Sequence, residues 1–164
     1  MAEGATSSGG GETVFRGVTH LALDAKGRLA IPARHRDLLA GATGDGARGL
    51  IVTADPSRCL LVYPRAAWEP IQARLLGLSS FDERLRGLQR LLVGHADDVE
   101  MDGAGRILIP PALRQYAALD HRVVLVGQGN KFELWDEARW QAETERAITF
   151  PAGQLPPELD RFSL

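Results

Sequence analysis

Leu21-Ala-Leu-Asp-Ala-Lys-Gly-Arg-Leu-Ala-Ile-Pro32 returns later in the same chain as Val99-Glu-Met-Asp-Gly-Ala-Gly-Arg-Ile-Leu-Ile-Pro110. Asp24, Gly27, Arg28 and Ile31-Pro32 of the first copy correspond to Asp102, Gly105, Arg106 and Ile109-Pro110 of the second. Apolar residues alternate on both sides of the Asp, through Leu21 and Leu23 before it and Leu29 and Ile31 after it. That period of two is the mark of a half-buried strand. The three residues between the strands, Ala25-Lys26-Gly27, fit a type I turn closed by a left-handed residue. Gly27 adopts positive φ without the penalty of a Cβ. Asp24 opens the turn, where its carboxylate accepts loop N–H groups, and it lies across from Arg28. The repeat therefore predicts two strand-turn-strand hairpins, with Asp24, Gly27, Asp102, Gly105 and Arg106 as their structural turn motif. Lys26 sits at a tip where only solvent or a partner reaches it.

Working outward, Pro32 ends the strand and starts a helix, where its missing N–H costs nothing. The expected helix covers residues 33–40 and is closed by Gly41. Pro110-Pro111 repeat the plan, with a helix to residue 119. The Gly-rich stretch 41–49 matches neither common nucleotide fingerprint and reads as a surface loop. Residues 50–53 and 59–63 are strands around an Asp55-Pro56-Ser57 turn. A helix over 64–76 has Trp68, Ile71 and Leu75 on one face, and Pro70 threatens to kink it or shift its start. Ser80-Phe-Asp-Glu83 matches a capping box with Ser80 as N-cap. The helix it opens runs to Leu92, and Phe81, Leu85, Leu88 and Leu92 are spaced for burial. In the second half, residues 122–126 and 131–135 are strands about a Gly127-Gln-Gly-Asn130 turn. Asp136 caps a helix to about residue 147, and Trp140 answers Trp68.

Each half thus reads β-β-α-β-β-α, and the fold class is mainly β with α (α+β). One half alone has exposed edges and few strands. Two copies in one chain can share a barrel, which favours one intertwined unit. The divisions are a tail 1–13, a first repeat 14–76, a linking helix 77–92, a second repeat 93–147 and a tail 148–164.

Composition excludes several classes. The chain has 164 residues, 45% hydrophobic and 24% charged, as in ordinary soluble globular proteins. No apolar run approaches a membrane span, and residues 1–11 lack the regions of a signal peptide. A single cysteine, Cys59, rules out an internal disulfide and a cysteine-rich metal site. The cytoplasm is the simplest compartment. His95 near Asp97 and Asp98 lacks ligand spacing for a metal. His20 and Asp24 share a strand face without a third partner. With no nucleophile motif, nucleotide loop or ligand cluster, the chain reads as no enzyme and needs no cofactor.

Charge is more telling. The net charge is only −2, yet residues 14–36 carry five cations (Arg16, Lys26, Arg28, Arg34, Arg36) against one anion, Asp24. Residues 93–114 carry two cations against four anions. A local basic face on a mildly acidic protein points to a directed anion partner, with double-stranded DNA the usual one. On that reading Arg28 and Lys26 enter a groove, while Arg16, Arg34 and Arg36 contact phosphates.

Phe15-Arg16-Gly17, Leu23-Asp24-x-Lys26-Gly27-Arg28, Ile31-Pro32, the second Asp102-x-x-Gly105-Arg106 copy through Pro111, and Lys131-Phe-Glu-Leu-Trp135 together resemble the MraZ family. Those are bacterial transcriptional regulators of the AbrB-like, swapped-hairpin barrel type, and the resemblance spans residues 14–147. It implies a nucleoid-associated DNA-binding regulator of the division and cell-wall gene cluster, acting on short direct repeats in its own promoter. It also implies a ring-shaped homo-oligomer. The chain departs from the pattern in its N-terminal segment, the stretch 41–49, Pro70 and the long C-terminal tail. The second copy also lacks a lysine at the place of Lys26, which questions its DNA role. Two other readings start from the same residues. One is an antitoxin-type module whose tail masks a toxin. The other is an oligomeric scaffold without DNA specificity.

Overall fold

The computed structural model describes residues 13–43, 49–149, 156–159 and 161–162. The expected tail 1–11 lies outside these residues, as do most of the loop 41–49 and much of the tail from 151. The elements in order are β1 (Phe15–Ala22), β2 (Arg28–Ala30), α1 (Ala33–Thr43), β3 (Gly49–Ala54), β4 (Leu60–Pro64), α2 (Arg65–Leu76), α3 (Glu83–Leu92), β5 (Asp97–Glu100), β6 (Arg106–Leu108), α4 (Pro111–Tyr116), β7 (Arg122–Gly129), β8 (Phe132–Asp136) and α5 (Glu137–Ile148). The fold is mixed α and β, with every ladder antiparallel. No helix among the described residues is long and apolar enough to cross a membrane.

Six strands form one sheet in the order β1-β7-β8-β4-β3-β5, and β2 pairs with β6 in a separate two-stranded ribbon. This corrects the hairpin expectation in one respect. The turns form, but the strands on either side of each turn do not pair with one another. β1 pairs with β7 along its whole length, and β5 pairs with β3. The first two strands of each repeat find their partners only in the other repeat. The ribbon joins the sheet's two edge strands, through the Asp24 turn at one end and the Asp102 turn at the other. Two further bonds lock the exchange: Ile31 N–H donates to Gly105 O (2.9 Å) and Ile109 N–H to Gly27 O (3.0 Å).

Alternation sends each strand's residues to different cores. Leu50, Val52, Leu60, Val62, Val123, Leu125, Phe132 and Leu134 face the ribbon's Leu29 and Ile107 in one central core. Their neighbours Ile51, Leu61 and Tyr63 pack under α2 with Trp68. Val124, Val126, Cys59 and Trp135 pack under α5 against Trp140. Both faces of the central strands are therefore covered, which is why they read as unbroken apolar runs. Cys59 is fully buried, and burial pushes its thiol far above the usual range, so it acts as a small hydrophobe.

Several boundaries differ from expectation for local reasons. β7 continues through the expected turn to Gly129, because β1 needs a partner as far as Phe15. A Cβ on Gly127 would lie 2.4 Å from the Arg16 backbone N, so only glycine permits that pairing. α1 runs past Gly41 to Thr43, whereas α4 stops at Tyr116, short of residue 119. Left-handed Ala118 (φ 49°) ends α4, with Leu119 N–H bonded back to Arg114 O. Pro70 is accommodated one turn inside α2. The N-cap of α3 is Asp82, whose carboxylate accepts from Arg84 and Leu85 N–H, and the Ser80 capping box does not form. Nor is the α3 face buried: the helix has no buried residue, and Phe81 is 96% exposed. Asp136 does cap α5, accepting from Arg139 N–H.

Candidate nucleic-acid interface

The two Asp turns have the same hydrogen bonds. Asp24 N–H donates to Arg28 O (3.0 Å) and Gly27 N–H to Asp24 O (3.0 Å). Asp102, Arg106 and Gly105 repeat this at 2.9 and 3.0 Å. Gly27 and Gly105 are left-handed at φ 84° and 75°, as the three-residue loop requires. Asp24 Oδ1 accepts from Lys26 N–H and Arg28 N–H, both at 2.9 Å, and Oδ2 accepts from Arg28 Nε at 2.8 Å. Asp102 does the same with Ala104, Arg106 and Arg106 Nε, each at 2.9 Å. The backbone N–H of Arg28 is the largest influence holding the Asp24 carboxyl down, to about 2. The backbone N–H of Arg106 lowers that of Asp102 in the same way.

This geometry has a chemical consequence. Each carboxylate accepts three hydrogen bonds from its own turn, and it holds its arginine through Nε. That bond orients the guanidinium and uses none of its terminal N–H groups. Two donors of a planar fork at a rigid turn match the paired acceptors of a guanine edge or a phosphate. Arg28 and Arg106 side chains are 33% and 40% exposed, so both forks reach solvent. Lys26 is fully on the surface at the first tip, and Gly103-Ala104 stand at the second.

The remaining cations are not gathered into one patch. Arg16 is exposed at the far end of β1, about 20 Å from the turn at ordinary strand rise. Arg34 lies on the opposite face of β1: its Nη2 donates to Thr19 Oγ1 (2.8 Å) and would sit 3.0 Å from a Cβ on Gly17. Arg36 leaves α1 in another direction and packs across the second turn. A Cβ on Gly105 would meet its Cδ at 2.3 Å, and its Nη1 reaches Ala104 O at 3.5 Å.

Sequence reasoning passed over Arg114, which performs the reciprocal task. Its guanidinium would meet a Cβ on Gly27 at 2.5 Å, and its Nε donates to Ile109 O at 3.0 Å. Each turn thus rests on an arginine from the other repeat, four residues after Pro32 or Pro110. The recurrence of Arg36 and Arg114 at one repeat position was the available signal. His35 differs from its counterpart Leu113: both are buried, and neither ring nitrogen of His35 has a hydrogen-bond partner among the described residues. Burial lowers its basicity, so the ring is held neutral.

Comparison with known proteins gives a consistent result. The family model described as "MraZ protein, putative antitoxin-like" matches twice, over residues 14–91 and 92–156. The chain is 58% identical to a protein of Nitrosospira multiformis over 151 residues, covering 92% of this chain and all of the relative. It is 57% identical to one of Nitrosomonas eutropha and 54% to one of Thiobacillus denitrificans, each with the same coverage. All three relatives carry the name "Transcriptional regulator MraZ".

Proposed function

The chain belongs to the MraZ family of transcriptional regulators, and from that membership we propose that it binds double-stranded DNA through its two Asp-x-x-Gly-Arg turns. The observation that carries this reading is the grip of Asp24 on Arg28 through Nε, at 2.8 Å, in a side chain that is one-third exposed and whose terminal N–H groups that bond does not use. Lys26 adds a point charge at the first tip. Arg16 and Arg34 are separate cations on opposite faces of β1, each suited to a phosphate contact that sets register. Arg36 supports the second turn from beneath and contributes through it.

The targets in this reading are short direct repeats ahead of the chain's own gene and of the division and cell-wall genes with it, bound by a cytoplasmic, nucleoid-associated protein. One turn pair offers few contacts, so a homo-oligomer spanning several repeats gains affinity through effective concentration. Leu76, Leu78, Phe81 and Leu88, exposed apolar residues in and between α2 and α3, support such self-assembly.

The test is a titration of wild-type protein and a Lys26→Ala/Arg28→Ala double variant on a duplex from upstream of the gene, with a scrambled duplex as competitor. The expected result is preference for the upstream duplex in the wild type and its loss in a double variant of unchanged fold and assembly. Equal binding of both duplexes by the wild type would instead favour a scaffold without DNA specificity.

A further inference from the structure

The β2–β6 ribbon has an outer face that neither turn accounts for. Within each three-residue strand the middle residue points inward, so Leu29 and Ile107 are buried. Arg28, Ala30, Arg106 and Leu108 therefore share the outer face. The register sets Arg28 opposite Leu108 and Ala30 opposite Arg106. Two guanidinium forks lie diagonally across a flat two-stranded surface, and the residues between them are apolar. Leu108 is 51% exposed on this charged face, directly opposite Arg28. A two-stranded ribbon is one of the elements that a major groove about 12 Å wide admits, and the thymine C5 methyl is that groove's apolar landmark.

We propose that Leu108 is a specificity-determining residue that packs on a thymine methyl next to the base edge taken by Arg28. This rests on the DNA-binding reading above. Facing strands set directly opposed residues about 5 Å apart, so Arg28 and Leu108 address adjacent base pairs. At the other end of the ribbon Arg106 faces Ala30, whose single methyl is too short for this contact. The surroundings differ in the same sense. The Arg28 end carries Lys26, whereas the strand leading to the Arg106 end bears exposed Asp97, Asp98 and Glu100. Arg65 offsets Asp98 at 2.9 Å. The ribbon is thus two-fold symmetric in its backbone and polar in its chemistry. Leu108 is what makes it dock one way round, as a head-to-tail array of sites requires.

The experiment uses the full chain and a duplex that the wild type itself selects from a random pool. Each thymine is replaced in turn by uracil, which removes only the C5 methyl. The wild type is expected to lose about fourfold in affinity at one position, the worth of one buried methyl group. Leu108→Ala is expected to bind thymine and uracil duplexes alike. Ala30→Leu is expected to gain a second uracil-sensitive position, and it decides the matter if Leu108→Ala proves misfolded by circular dichroism. A wild type indifferent to every replacement overturns the proposal while leaving DNA binding intact. So does a folded Leu108→Ala that keeps the sensitivity, or one whose only change is in oligomeric state. Failure to enrich any sequence from the pool would instead overturn the DNA-binding reading beneath it.

Discussion

Asp24 and Asp102 use their acceptor capacity on their own turns, and this decides what their arginines can do. An exposed ion pair is ordinarily worth little. Here its value lies in orientation, because the fork is fixed before any partner arrives. Arg28→Lys keeps the charge and removes the plane. The expected outcome is unchanged affinity for scrambled duplex and a loss of about 10-fold or more in preference for the upstream duplex, since one bidentate pair carries about 1–3 kcal/mol of discrimination. Parallel titrations of the two duplexes measure it. The same carboxylates set an acid limb. A group whose folded pKa is depressed contributes stability above its unfolded value and loses it as pH falls. For Asp24 that window runs from 3.8 down to about 2, and Asp102 shifts in the same direction. Unfolding curves of Asp24→Asn/Asp102→Asn are expected to show lower stability at neutral pH and a flatter fall across that window. At this scale the sequence was informative. Asp24, Gly27 and Arg28 stand in their expected relation because a three-residue loop dictates it locally. Nothing local singles out Leu108, since its place on the ribbon's outer face depends on a strand partner, Arg28, 80 residues away in the chain.

The turns and the ribbon form one element built from both repeats. Gly27 and Gly105 need no side chain for two reasons: their φ is positive, and an arginine from the opposite repeat occupies the space. Gly27→Ala therefore combines backbone strain with displacement of Arg114. A loss of about 1–3 kcal/mol is expected in denaturant unfolding. The exchange of Arg114→Ala for Arg114 in the same background should recover the part due to displacement. Element types were legible from alternation and from helical spacing. Their partners were not, because strand pairing is a long-range choice. A tight turn between alternating strands looks like a closed hairpin, yet here β1 and β5 gain longer ladders in the other repeat. β1 pairs over eight residues with β7, and β2 could never offer it more than three. The capping box failed for a local reason. Asp82 stands directly before Glu83 and accepts two N–H bonds at the helix start, leaving Ser80 outside the first turn.

Over the whole molecule, interlocking changes what charge along the sequence means. Counted by halves, the first repeat is basic and the second acidic. In space, Arg114 of the second lies under the first turn, and Arg36 of the first lies under the second. The cations counted together separate into the turn tips, the β1 flank and the turn supports. The contrast that survives is in the strands leading into each turn: β5 carries exposed Asp97, Asp98 and Glu100, and none of the corresponding β1 residues is acidic. The apolar face of α3 also becomes intelligible only at this scale: its spacing is evident, but nothing among the described residues covers Phe81. The account's central claim is that the two arginine forks on the ribbon's outer face are where the double helix lies. Arginine-selective dicarbonyl labelling of the full chain, with and without the upstream duplex and read by mass spectrometry, tests it most directly. The account predicts that the duplex protects Arg28 and Arg106 while Arg139 and Arg146 on α5 stay reactive; equal labelling of Arg28 and Arg106 in the presence and absence of bound duplex would contradict it.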